Sequence, residues 1–260
     1  MDNIISEIRS KLKKHADAKT RQAAQRFFKE KIKLHGVRTP LVAKIAKEHF
    51  HLIKHKPKKN IFAACEKFLQ SAYMEESFIA FDWSRSLHKH YEPKDFKTFE
   101  RWVKNHVSNW AQCDTLCNHT IGKFVEKYPE FIKELKIWTK SKNRWVRRAS
   151  AVALIIPARK GLYLKDIFEI CDSLLKDKDD MVRKGYGWLL KEASRTHQKE
   201  VFDYVMKHKD IMPRTSLRYA IEKMPKDLKK KAMARNNHVK IFDFVRGVRG
   251  KTKRYRFKKL

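Results

Sequence analysis

Trp145-Val146-Arg147-Arg148 is followed 36 residues later by Met181-Val182-Arg183-Lys184. Each stretch sets a bulky apolar residue and a valine before two basic residues. A weaker echo, Leu217-Arg218-Tyr219, comes 35 residues further on. Upstream, Pro57, Pro93 and Pro129 stand 36 residues apart, and Trp102 and Trp138 repeat the interval. A fixed period of this size means stacked supersecondary units, each burying its apolar face on its neighbours. At about one helix pair per period, the chain holds roughly seven pairs.

The units read as helical. Glycine is scarce, and apolar residues recur at spacings of three and four. Ile61 to Leu69, Phe96 to Val107, Phe131 to Trp138, Trp145 to Ile156, Tyr163 to Leu175 and Met181 to Ser194 are the successive helices expected. Ile4, Ile5, Ile8 and Leu12 make Met1 to Lys14 amphipathic as well. No run alternates in the way a strand requires. The expected fold is all-α, a superhelical solenoid of helix pairs with a basic concave face.

One repeat domain is expected over residues 1–245. Its first 50 residues are out of register, as terminal capping units often are. Within them, Gly36-Val37-Arg38-Thr39-Pro40 reads as a helix stop followed by a restart. Residues 246–260 carry eight Lys or Arg and no acid, with Tyr255 and Phe257 interleaved. That composition is a tail, with Arg254 and Arg256 as its candidate DNA contacts.

Lys and Arg total 62 against 29 acids, a net charge of +33, so the excess cannot be spent on internal ion pairs. An extended surface this basic attracts polyanions, and nucleic acid is the first partner expected. A membrane is not expected: no juxtamembrane segment or lipidation signal is present. The longest largely apolar run, Ala149 to Ile156, stops at Pro157, far short of a bilayer. The N-terminus has no secretory pattern, and four cysteines do not make a disulfide framework. The expected compartment is the cytoplasm, with the protein drawn to the nucleoid through DNA.

Trp110 and Asp114 stand at i and i+4, on one face of a helix. An indole beside a carboxylate suits a cationic, flat or sugar-like group. Strict counting by 36, however, aligns Trp110 with Val146 and Val182, which look like core positions. Spacing alone leaves both readings open. Among the arginines, Arg147 repeats as Arg183 and Arg218, which marks a structural ladder. Arg148 repeats as Lys184 and then Tyr219, so the scaffold does not demand arginine there. Arg148 is the better candidate for a phosphate. Trp188 replaces Val152 of the preceding unit, and a core role and a site role both fit it. Cys113, Cys117 and His119 lack the second cluster that a structural zinc site needs, and read as buried thiols and a histidine. No glycine-rich phosphate loop and no HExxH is present, so neither a metal, a nucleotide nor any other cofactor is expected.

The chain resembles the bacterial DNA alkylation repair glycosylases of the AlkD family, which are built from HEAT-like repeats. The resemblance rests on Gly36-Val37-Arg38-Thr39-Pro40, Trp110-Ala111-Gln112-Cys113-Asp114, Trp145-Val146-Arg147-Arg148-Ala149 and Gly187-Trp188-Leu189-Leu190-Lys191-Glu192. It implies excision of cationic alkylpurines, such as 7-methylguanine and 3-methyladenine, from duplex DNA without full base flipping. Carried over, the catalytic carboxylate is Asp114, its flanking indoles are Trp110 and Trp188, and the phosphate-binding arginine is Arg148. Lys184 joins the DNA contacts. Phe27 falls where the family sets an aromatic on a lesion-facing N-terminal helix, and it lacks a tyrosine hydroxyl. Asp180 and Met181 stand where an apolar or aromatic pair is expected. The cationic leaving group requires no lysine nucleophile, so a monofunctional hydrolase is expected, and a solenoid with capped ends is expected to be monomeric. Two alternatives remain: a noncatalytic module for bent, branched or damaged DNA, and a solenoid that binds RNA or protein.

Overall fold

In the computed structural model, which describes residues 1–234, the chain is all-α, with no strand among these residues. The N-terminal part holds α1 (Asp2–Lys14), α2 (Ala18–Gln25) and α3 (Thr39–Ile53). Next come α4 (Lys58–Gln70), α5 (Met74–Ser86), α6 (Asp95–His106) and α7 (Trp110–Thr115). The last of these runs through a π-helical turn (Leu116–Ile121) into α8 (Gly122–Lys127). Then follow α9 (Ile132–Trp138), α10 (Arg144–Val152), α11 (Ile155–Arg159), α12 (Leu164–Leu174) and α13 (Asp180–Ala193). The described chain ends with α14 (Gln198–His208), α15 (Arg214–Ala220) and α16 (Lys226–Met233). The basic segment 246–260, with Arg254 and Arg256, lies outside the described residues, as does the expected domain boundary at 245.

The helices stack in two rows. Along one row α3, α5, α7, α10, α13 and α15 pack in succession; in the other α4 meets α6, α9 meets α12 and α14 meets α16. The period seen in sequence has a physical job at each recurrence. Pro57 caps α4, Pro93 stands just before α6, and Pro129 opens a short 3-10 turn leading into α9. Proline suits a helix start, where its missing N–H is not needed. Trp102 donates its indole N–H to Glu66 at 2.6 Å, tying α6 to α4, and Trp138 does the same to Glu100 at 3.1 Å, tying α9 to α6. Two of the three ladder arginines meet at one residue: Arg147 holds the Asp177 carboxylate at 2.6 Å, and Arg183 donates to the Asp177 carbonyl, while Arg218 is exposed. Gly187 permits a close approach in the stack. A Cβ there would meet Tyr219 Cβ at 2.8 Å and the Ser216 carbonyl at 2.9 Å, across the α13–α15 contact.

Three expected boundaries move. The helix expected over Trp145 to Ile156 breaks after Val152, because Pro157 cannot donate to Ala153 and its ring would crowd that carbonyl. The chain restarts as α11 with Pro157 in its first turn. Tyr163 stands outside α12 as its N-cap, at φ +63°. The restart at Thr39 is as expected, but the stop is not at Gly36: α2 already ends at Gln25. Between them runs a strap, residues 26–38. Gly36 sits in it at φ +91°, where any Cβ would strike the Asp17 carbonyl at 2.3 Å. The buried Glu75 carboxylate fixes this stretch by accepting from the amides of His35, Gly36 and Val37 at 3.1, 2.8 and 3.2 Å.

Candidate active site

The first turn of α7 is built by its own sequence. Asn109 caps the helix by accepting from the Gln112 amide at 3.0 Å, and the Gln112 side-chain oxygen accepts in return from the Ser108 amide. This is a reciprocal capping arrangement. Gln112 also donates to Ser77 at 2.9 Å, which locks α7 onto α5. Directly after α7 comes the π turn, a local widening of the helix often found at functional sites.

Counting from the caps settles the register of Trp110. Asn109, Asn143 and Asp179 cap α7, α10 and α13, at intervals of 34 and then 36 residues. Strict counting by 36 therefore slips by two residues at α7. The reason is local: Trp102 lies seven residues before its cap Asn109, whereas Trp138 lies five before Asn143. Trp110 thus matches Arg144 and Asp180 rather than the buried valines. Asp114, Arg148 and Lys184 become the same position of three successive repeats.

That shared position lines an open cleft of about 460 Å³. Trp110, Asp114, Arg148, Lys184 and Trp188 come together there, and Phe27 forms one rim. Phe27 is not on a helix; it lies in the turn past α2 and is 75% exposed. Its carbonyl accepts from the Trp110 indole N–H at 3.3 Å, and the next residue, Phe28, stacks on Trp110 with ring centroids 5.2 Å apart. Trp188 is held by Glu192, which accepts its indole N–H at 3.1 Å while Arg159 and Arg195 grip the other carboxylate oxygen. Burial alone would raise Glu192, but the three donors outweigh it and hold the carboxyl below its ordinary value.

Asp114 and Arg148 meet as a fork: Nε and Nη2 of the arginine donate to the two carboxylate oxygens at 2.9 and 2.8 Å. Nη1 of Arg148 donates to the Met181 carbonyl, so all three nitrogens are engaged, and the side chain is 6% exposed. A phosphate at Arg148 therefore has to compete with Asp114. Burial pushes the Asp114 carboxyl above the ordinary aspartate value despite the guanidinium beside it. Even in so basic a protein, desolvation of this carboxyl outweighs the pull of the neighbouring cation. Burial likewise opposes the charge on Arg148, but Asp114 more than offsets it and raises the arginine.

The cleft also holds residues that were not singled out from sequence. Met181, noted as part of the repeat and as a departure from the family pattern, lines it, as do Lys191 and Tyr219. Tyr219 was already the repeat counterpart of Arg148 and Lys184. Lys191 lies seven residues after Lys184, two turns along the same face, so helical spacing contained the signal. Lys184 pairs with Asp180 at 2.8 Å and Lys191 with Glu222 at 3.1 Å. The Cys113 and Cys117 thiols are fully buried behind the cleft, and burial pushes Cys117 well up. Among the described residues no cluster of three or more His, Cys, Asp or Glu side chains is arranged to hold a metal, and no helix is long and apolar enough to cross a membrane.

A family model described as DNA alkylation repair enzyme matches residues 8–224. The chain belongs to the DNA alkylation repair enzyme family. Membership of this family assigns the protein a role in DNA repair, with DNA as the implied substrate. A predicted DNA alkylation repair enzyme from Enterococcus faecalis shares the fold, with a TM-score of 0.74 at 15% identity. The likeness covers 82% of this chain and 98% of that one. Among curated proteins, none matches the chain.

Proposed function

We propose that the protein is a DNA glycosylase that hydrolyses the N-glycosidic bond of cationic alkylated purines, of the 7-methylguanine and 3-methyladenine type, in duplex DNA. The observation that carries this reading is the carboxylate. Asp114, 15% exposed at its side chain, lines a cleft walled by Trp110, Trp188 and Phe27 in a protein of net charge +33. A module that only grips phosphates gains nothing from an acid in that position.

The chemistry follows from charge. An alkylated purine already carries a positive charge and leaves without a general acid. The barrier lies in the oxocarbenium character that develops on the deoxyribose. A carboxylate fixed before the reaction stabilises that cation with little reorganisation, and can orient the attacking water. Arg148 presets the carboxylate by holding both of its oxygens. The two indoles confine the sugar and exclude bulk water. Both cleft lysines are tied in ion pairs, so neither is presented as a free amine, and monofunctional hydrolysis without strand cleavage is expected.

A second reading, a noncatalytic binder of damaged or bent DNA, draws on the same fork: Arg148 and Asp114 neutralise one another. One experiment separates the two. Release of free base is measured from duplex DNA carrying 7-methylguanine, with wild type and Asp114→Asn. Under the glycosylase reading wild type releases base, and the variant loses at least about 100-fold in rate, as is typical for loss of a preorganised electrostatic group. DNA affinity is retained in the variant. No release by wild type, with tight binding, assigns the protein to the binding class.

A further inference from the structure

One wall of the cleft is not part of the repeat at all. The strap after α2 leaves the N-terminal helices and lies against α7, where it supplies the carbonyl and the ring that hold Trp110. Its shape is set by Gln25, whose side chain donates to the Glu30 carbonyl at 2.8 Å and accepts from the Ile32 amide at 3.1 Å. Its far attachment is ionic: Glu30 pairs with Arg144, 114 residues away in sequence. Arg144 is well placed for this. It opens α10, lies over the Trp145 ring at 4.5 Å, and is steadied by Asp179 at 3.3 Å. By cap register Arg144 is also the counterpart of Trp110, so the strap touches the same position of two successive repeats.

We propose that Glu30 and Arg144 are positioning residues that latch the strap over the cleft and thereby fix Trp110 in its working orientation. The reading rests on the glycosylase proposal above for its activity readout alone. The indole N–H of Trp110 is spent on the strap carbonyl, and one face of its ring is covered by Phe28, so the free ring face is defined only while the strap is docked. A pair as exposed as this one, 26% at Glu30 and 37% at Arg144, adds little to global stability. Its worth is in geometry, where small displacements of a positioning group are expensive in rate.

The test is Glu30→Gln, which keeps the shape and removes the charge. The expected result has three parts. Hydrogen exchange accelerates in residues 26–32 and not elsewhere. The Trp110 indole N–H resonance, assigned with Trp110→Phe, shifts. Single-turnover release of 7-methylguanine falls roughly 10- to 100-fold, with affinity for undamaged duplex unchanged. The double variant Glu30→Gln/Arg144→Gln is no slower than Glu30→Gln, because the pair acts as one latch. Unchanged exchange in the strap overturns the latch. Faster exchange with an unchanged indole resonance or an unchanged excision rate overturns the positioning role. A wild-type protein that releases no base sinks the glycosylase instead, and exchange together with the indole resonance then decides the latch.

Discussion

The repeat that carries α7 and the repeat that carries α13 offer the cleft the same position and fill it with opposite charges. Five residues past its cap, α7 presents Asp114; five past its own, α13 presents Lys184. Between them α10 presents Arg148, which turns from a surface cation into the acid's partner. The backbone treats the three alike. What differs is the surroundings: Lys184 keeps a half-open setting beside Asp180, while Asp114 and Arg148 are shut in together. The scaffold thus repeats an address, and the chemistry depends on which side chain stands there and how dry it is.

The sharpest way to break this comparison is to set Arg148 against its neighbour Arg147. Arg148→Ala strands a mostly buried carboxylate, a loss that typically costs about 3–5 kcal/mol. Arg147→Ala removes the donations to Asp177 and to the Ser141 and Lys142 carbonyls, but the carbonyls lie at partly open positions and the acid keeps the Asp179 amide at 2.8 Å. Its expected cost is about 1.5–3 kcal/mol. Urea unfolding of the two variants reads the difference directly. Equal losses would mean that the Arg148 fork is not what the comparison takes it to be.

How much of this was legible in the sequence follows from where each signal lived. The repeating prolines and tryptophans exposed the stack, because each recurrence performs the same local task, a helix start or an indole-to-glutamate tie. The ladder role of Arg147 was legible for the same reason. The register of Trp110 was not, because a two-residue shift between Trp102 and its cap is invisible to a fixed count. The break at Val152 was foretold by Pro157 four residues beyond Ala153, a cue that the apolar run concealed. Glu30 and Phe28 gave no sign at all, since their partners lie 114 and 82 residues away and no period links them. The pairing of Arg148 with Asp114 was hidden as well: helical spacing and the repeat pointed to two candidate residues, and only packing shows that they neutralise one another.

The acid limb of the excision rate sharpens the comparison from the side of Asp114. Under the glycosylase proposal the reaction needs the carboxylate ionised, and burial raises this group above the ordinary aspartate value of 3.8. A raised acid takes up its proton earlier as pH falls. Activity is therefore full above the raised value and fails on acidification while ordinary aspartates are still charged. Arg148→Lys exchanges the fork for a point charge and is expected to move the limb further upward. Single-turnover rates across pH test this, and a limb at or below 3.8 would mean that burial does not govern the site.

The smallest effect belongs to the far end of the shared position. If Lys184 meets a phosphate, Lys184→Ala removes one released counterion, and the slope of log affinity against log salt falls by about 0.9. The loss is the same for damaged and undamaged duplex, because a phosphate contact carries no base information. If the wild-type guanidinium stays with Asp114 in the complex, Arg148→Ala leaves the slope unchanged. A change at Arg148 of the size expected at Lys184 would show that the fork lets go of the acid to take DNA. Asp114 would then be unpaired in the complex, free to face the sugar, and binding itself would be the step that arms it.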